Sequence, residues 1–191
     1  MLESLYISKS KIRRDLLTLF FTNPSQKYYL RELQRQLGYS AGSIRRELLK
    51  FQKDNLFNTQ RVGNLLYYTV NTKHPLFKEL KAIVSKTVGV EASLKNMLSS
   101  LQGIRIAFVY GSFAGKKEKG SSDIDLMIIG TTDNSLLNER IAELENTLKR
   151  EINPTIYPMK EYLAKKKAKS GFIIELLKNP KIMLIGNDDD L

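Results

Sequence analysis

Ile104-Arg105-Ile106-Ala107-Phe108-Val109-Tyr110 runs directly into Gly111-Ser112-Phe113-Ala114-Gly115. A charged loop follows (KKEKGS, 116–121), and then Ser122-Asp123-Ile124-Asp125-Leu126-Met127-Ile128-Ile129-Gly130. The first apolar run is short, β-rich and closed by glycine, which predicts a buried strand. The last run opens with acids and continues as a second buried strand. Successive side chains on a strand alternate faces, so Asp123 and Asp125 point the same way and Ile124 points opposite. Two carboxylates on one face suit Mg²⁺, which takes a few carboxylates together with phosphate oxygens and water. Gly111 lets the backbone approach a ligand closely, and Ser112 adds a hydroxyl and an N–H at a helix start for phosphate.

Outward from this core, Glu91–Leu101 reads as a helix ended by Gly103. Leu137, Ile141, Leu144 and Leu148 mark an amphipathic helix, and Ile152–Tyr157 a third strand. Lys160–Leu177 is expected to be one further helix, Lys181–Ile185 a short final strand, and Asp188-Asp189-Asp190 a frayed tail. GSFA…SDIDL resembles the signature of the polymerase-β-like nucleotidyltransferases, particularly their minimal form, over about residues 91–157. The resemblance implies that Gly111 and Ser112 grip the phosphates of a nucleoside triphosphate, as substrate or ligand. It implies that Asp123 and Asp125 are the catalytic and Mg²⁺-holding pair. A third carboxylate, on the following strand, normally completes such a site and helps activate the acceptor hydroxyl. Here that strand reads REINPTIYPM and the position falls near Asn153, which is neutral and cannot act as a base. Glu151 lies two residues away on the same face, at the strand's edge. The departure bears on catalysis rather than on nucleotide or metal binding. Tyr157 offers a ring for a base or for packing, and Lys165-Lys166-Lys167-Lys169 reads as a solvated helix face.

The first half is charged differently. Residues 1–90 hold 16 Lys+Arg and 6 Asp+Glu, a net of +10, whereas residues 91–191 hold 15 and 14, a net of +1. Such asymmetry points an N-terminal unit at a polyanion. Ile12, Leu16 and Leu19 form a helical stripe that stops before Asn23-Pro24. Leu30, Leu33 and Leu37 form a second, closed by Gly38, and Ser40 caps a third with Ile44, Leu48 and Phe51. Phe57–Arg61 and Leu65–Asn71 are β-rich runs joined across Gly63-Asn64, a hairpin signal, and another helix is expected near Pro75–Lys86. The order resembles the winged helix-turn-helix of small bacterial and archaeal transcription regulators over roughly residues 8–72. On the third helix Gly42, Ser43, Arg46 and Lys50 point away from the apolar stripe and Arg45 lies on its flank. Ser43, Arg45, Arg46 and Lys50 are therefore the expected DNA-binding residues, with Arg61 at the wing tip approaching backbone or minor groove.

The chain has 191 residues, of which 42% are hydrophobic and 27% charged, so it has material for a packed core and is not disordered or low-complexity. Charges interrupt every apolar run before the ~18 residues of a membrane span, and MLESLYISKSKIRRDLL lacks the apolar centre of a signal peptide. No membrane partner and a cytoplasmic location are expected. With no Cys and one His, cysteine zinc sites, disulfides and thiol nucleophiles are excluded, and a serine triad would have only His74 to use. The expected fold is a two-domain α+β / α/β chain. A winged helix-turn-helix occupies residues 1–88, and residues 89–191 form a minimal nucleotidyltransferase domain with a mixed sheet flanked by helices. The expected function is a DNA-binding transcription regulator whose second domain binds NTP–Mg²⁺ as a sensor. The alternative is an active transferase of nucleoside monophosphate onto a protein or small-molecule hydroxyl. In that version the chain is the antitoxin that modifies a toxin partner, and its DNA binding is autoregulatory. Double-stranded DNA, a nucleotide, a protein acceptor and a second copy of the chain as homodimer are the expected partners.

Overall fold

Ser10 opens α1 (Lys11–Thr22), its hydroxyl accepting the Arg13 amide at 3.4 Å, and Leu16, Leu17, Leu19, Phe20 and Phe21 bury the helix's second half. The computed structural model describes residues 10–115 and 122–191. The 1–9 segment, where the signal-peptide reading begins, and the charged loop 116–121 lie outside the described residues. The chain forms two compact units, 1–90 and 91–191.

In the first unit, β1 (Tyr28–Tyr29) leads into α2 (Leu30–Leu37), which ends at Gly38 with φ +72°, the left-handed conformation that glycine adopts without penalty. Ser40 then accepts the Ser43 amide at 3.2 Å and starts α3 (Ala41–Lys53). β2 (Phe57–Val62) and β3 (Leu65–Val70) are antiparallel, and the sheet order is β1-β3-β2. The short strand β1 is too brief for any periodicity to reveal. Phe20 centres the core, 5.1 Å from the Tyr28 ring and 4.3 Å from Phe57, while Phe77 of α4 (Phe77–Thr87) stacks on Phe21 at 5.6 Å. Glu47, 8% exposed, joins α1 to α3 by accepting from Arg13 Nε at 2.8 Å and Lys50 Nζ at 2.7 Å. Burial works against its charge, but these two partners outweigh it and hold the carboxyl below its ordinary value.

The second unit holds α5 (Val90–Ser99) from Glu91 onward and is built on a four-stranded sheet of order β6-β5-β4-β7. β4 (Ile104–Tyr110) pairs antiparallel with β5 (Ile124–Gly130) and with β7 (Ile182–Ile185), while β5 and β6 (Ile152–Tyr157) are parallel. The parallel pair needs a crossover, and α7 (Asn134–Leu148) supplies it, capped by Asp133 and tied to β6 by Glu145, which accepts the Ile152 amide at 2.7 Å. One sheet face, through Ile106, Phe108, Met127 and Ile129, packs with Tyr162, Ile173, Leu176 and Leu191.

Two expectations are corrected here. Lys160–Leu177 is not one helix but two, α8 (Met159–Lys167) and α9 (Gly171–Lys178). Lys169 turns left-handed at φ +50°, its N–H donating to Lys166 and that of Ser170 to Lys165, at 3.1 and 3.0 Å. That crossed pair of hydrogen bonds is a helix-ending motif with lysine in the place glycine usually takes. The acidic tail is not frayed. Asp188–Asp190 forms a 3-10 turn closed by Asp190 accepting the Asn187 amide at 2.8 Å, and Leu191 is only 7% exposed.

Candidate nucleotide and metal site

β4 delivers the chain to Gly111, whose φ of +73° starts the single helical turn α6 (Gly111–Ala114). A Cβ at Gly111 would stand 2.3 Å from Asp125 Oδ2, so the turn's backbone lies directly against that carboxylate. Ser112 is exposed beside it. Across the sheet, register sets Tyr110 opposite Asp125 and Asp125 opposite Asn153. Strand alternation puts Asp125, Asn153 and Thr155 on the face of Met127 and Phe108, at the end where the apolar packing stops. The Tyr110 hydroxyl and Thr155 Oγ1 share a hydrogen bond of 3.2 Å along this edge.

Asp123 precedes β5 and is exposed, whereas Asp125 is half-buried. Asp125's carboxyl is raised above its ordinary value, first by desolvation and then by the Asp123 charge. Two like charges held together, one of them partly desolvated, are the donor set a hard divalent cation neutralises. Asn153 presents Nδ2 to Asp123 Oδ2 at 3.4 Å, a long contact in which the third position donates to the pair instead of adding charge. Glu151 is exposed, its backbone carbonyl accepting the Ile124 amide at 2.9 Å. Among the described residues no three His, Cys, Asp or Glu converge. Asp123 and Asp125 thus fit one Mg²⁺, and the described residues do not supply a third anionic ligand.

Asp123→Asn and Asp125→Asn are each expected to weaken Mg²⁺-dependent nucleotide binding about 10-fold or more, read by calorimetry. Unchanged affinity in both would exclude a metal site here. Asp125→Asn has a second consequence. The folded chain holds this proton more tightly than the unfolded chain does, so the group's penalty is absent in acid and sets in as pH rises through the unfolded and then the folded value. Without divalent cations, the variant should match wild type in strongly acidic buffer and melt about 1–3 °C higher at neutral pH. Equal melting temperatures at neutral pH would contradict the strain assigned to the pair.

Arg150 is the residue sequence reasoning missed. It is 6% exposed, donates through Nη1 to the Ser122 carbonyl at 2.5 Å, and places Cζ 5.8 Å from the Phe113 ring centroid. One buried cation therefore touches both the Gly111 turn and the approach to β5. Nothing in the sequence separates it from the other basic residues of its half. Tyr157 packs at the edge of the adjoining core with Lys165 Nζ 5.2 Å from its ring.

In the first unit, Arg45, Arg46, Lys50 and Arg61 are exposed and Ser43 is half-buried. Arg46 Nη2 donates to Ser43 Oγ at 3.2 Å, and Lys50 is held by Glu47 as described. Arg61 sits on β2 next to the Gly63 turn.

No curated protein matches this sequence. Among solved structures, a chain from a toxin–antitoxin complex with AMP-PNP aligns over 52% of this chain and 76% of its own, at 17% identity and a TM-score of 0.39. A chain from a tri-AMPylated Shewanella oneidensis HEPN toxin in complex with MNT antitoxin aligns over 52% and 72%, at 16% identity and a TM-score of 0.35. The sequence model of the polymerase beta nucleotidyltransferase family matches residues 92–189, a span that takes in the Gly111 turn, both aspartates and Asn153. With half of its length so matched, the chain belongs to the polymerase beta nucleotidyltransferase family.

Proposed function

We propose that this protein transfers a nucleoside monophosphate from NTP–Mg²⁺ to a hydroxyl on a protein acceptor, and that its N-terminal unit binds duplex DNA. The observation that carries the first part is the pairing of Asp123 and Asp125 against the Gly111 turn. Bound Mg²⁺ would neutralise charge at the α-phosphate. Gly111 and Ser112 hold the terminal phosphates, leaving the α-phosphorus beside the two carboxylates. The acceptor oxygen bonds to that phosphorus, the bond to the bridging oxygen of the β-phosphate breaks, and pyrophosphate leaves with the electron pair. Asn153 cannot take the hydroxyl proton, which passes to water. Gly111, Ser112, Asp123 and Asn153 are all exposed, and a site this open admits a hydroxyl carried on a folded partner. A toxin partner is an acceptor of this kind, with DNA binding then serving autoregulation.

A second reading, an NTP–Mg²⁺ sensor without transfer, is favoured by the neutral amide at position 153. Incubation with labelled ATP and Mg²⁺, scored for both retained nucleotide and label moved to protein, separates the two. Label on protein supports the transferase, retained nucleotide without transfer supports the sensor, and neither outcome removes both.

The winged helix-turn-helix reading of the N-terminal unit rests on the net charge of +10 over residues 1–90 and on the succession α2, turn, α3, hairpin. A homodimer reading two half-sites belongs to the same proposal. Arg46→Ala should weaken duplex affinity about 10-fold, with a smaller loss for Lys50→Ala because Glu47 already engages that ammonium. Filter binding at low salt checks this, and wild-type affinity equal to that of a variant carrying both Arg46→Ala and Lys50→Ala would leave α3 as a packing helix only.

A further inference from the structure

β1 and β3 pair Tyr28 with Tyr68 and Tyr29 with Tyr67. Alternation sends the first pair into the core, 5% and 4% exposed, and turns the second to the opposite face, where both rings are half-buried. There Tyr29 and Tyr67 meet edge to face at 5.6 Å. Lys27 Nζ lies 5.0 Å from the Tyr67 centroid at one end of the pair. At the other, Arg35 Cζ lies 5.9 Å from the Tyr29 centroid and Nη2 donates to the Tyr29 hydroxyl at 2.8 Å. The sequence of groups is cation, ring, ring, cation. Lys27 and Arg35 are exposed, and among the described residues neither forms an ion pair. Glu32, on the first turn of α2, faces the Tyr29 amide at 3.4 Å and the Gln36 side chain at 3.3 Å. Core packing does not require this surface, and the nucleotide site in the other unit does not use it.

We propose that the Lys27–Tyr67–Tyr29–Arg35 ladder contacts the phosphate backbone of duplex DNA, beside the groove that α3 reads. The proposal rests on the DNA-binding reading of this unit. Two cations that form no ion pair among the described residues, in a unit of net charge +10, match a polyanion. Each ring pairs with a cation, which commits the rings to fixing the charges and not to stacking on unpaired bases. The Arg35 fork and the tyrosine hydroxyl beside it are phosphate-type donors that fix register without reading sequence. The ladder therefore adds affinity evenly across sequences and steepens the salt dependence.

The test titrates a labelled duplex, and the matching single strand, between 50 and 200 mM salt, a range over which phosphate contacts show clearly. Wild type is compared with the Lys27→Ala/Arg35→Ala double variant, the charge-keeping Lys27→Arg/Arg35→Lys variant and Arg46→Ala. The double variant should lose about 10-fold in duplex affinity on every sequence tried, and its log–log salt slope should be shallower by about 2. The charge-keeping variant should retain the slope. Both side chains are exposed, so melting temperatures should agree, and Lys27→Gln with Arg35→Gln serves if the alanine variant melts early. An unchanged slope in the double variant, with Arg46→Ala still impaired, excludes the ladder and leaves DNA binding standing. No duplex binding by wild type at the lowest salt removes the DNA reading and the ladder together. Tighter binding of the single strand, lost in the double variant, overturns the duplex proposal in favour of base stacking.

Discussion

Gly111→Ala should abolish nucleotidyl transfer and weaken Mg²⁺-dependent nucleotide binding about 100-fold, measured by calorimetry with a non-hydrolysable triphosphate. Two effects act at this position, and their sizes decide which matters. A left-handed residue with a Cβ costs roughly 1–2 kcal/mol, which the unit could absorb with a lower melting temperature. The steric effect is harsher, because the added carbon would stand 2.3 Å from Asp125 Oδ2. That overlap is relieved only by turning the Asp125 carboxylate away, which removes it from the pair, or by lifting the turn, which removes the phosphate-facing backbone. Either adjustment dismantles the site while leaving the β4–β5 ladder intact. Gly115→Ala is the matched control, since φ there is −75° and its Cβ would meet the Gly111 and Ser112 carbonyls at no less than ordinary contact distance, 3.4 and 3.9 Å. Near-wild-type nucleotide binding by Gly111→Ala would mean that Asp125 holds no ligand at that oxygen.

What was legible beforehand, and what was not, follows the range of the forces involved. β4 ends where its apolar run ends, because burial on a sheet is written residue by residue. The end of α2 at Gly38 and the start of α3 at Ser40 were equally legible, since caps are local chemistry. The break between α8 and α9 was hidden because Tyr162, Ile173 and Leu176 are all buried, so the apolar stripe runs on through a left-handed lysine. β1 was missed because two residues carry no period, and its partner lies about forty positions away. In the site, alternation alone puts Asp123 and Asp125 on one face. The adjacency of Asp125 and Asn153 is a matter of strand register, which no local pattern specifies. Arg150 is the extreme case. Its role depends on Phe113 and the Ser122 carbonyl, both reached only after the sheet has formed.

Asn153→Asp should convert a slow transferase into a faster one, raising the transfer rate about 100-fold and tightening Mg²⁺ binding about 10-fold. The substitution is nearly isosteric and position 153 is exposed, so it should not disturb packing. Its effect is electrostatic. In the wild type the Asn153 amide donates to Asp123 at 3.4 Å and slightly eases the repulsion between the two aspartates. A third carboxylate reverses that contribution and raises Asp125 further, so the metal-free variant should melt below wild type and regain the difference when Mg²⁺ is added. This metal-dependent crossover in melting temperature does not depend on knowing the acceptor, which makes it the first measurement to attempt. The rate increase follows from the proton. A carboxylate at 153 sits one strand from Asp125 in direct register and offers the acceptor hydroxyl a base that an amide cannot provide. The competing account gives that role to Glu151, on the same face two residues earlier. Under it, Glu151→Gln abolishes transfer by the wild type and Asn153→Asp changes neither rate nor melting behaviour. Under ours, Glu151→Gln leaves the Asn153→Asp protein active, because the base then lies beside Asp125 rather than at the strand's approach.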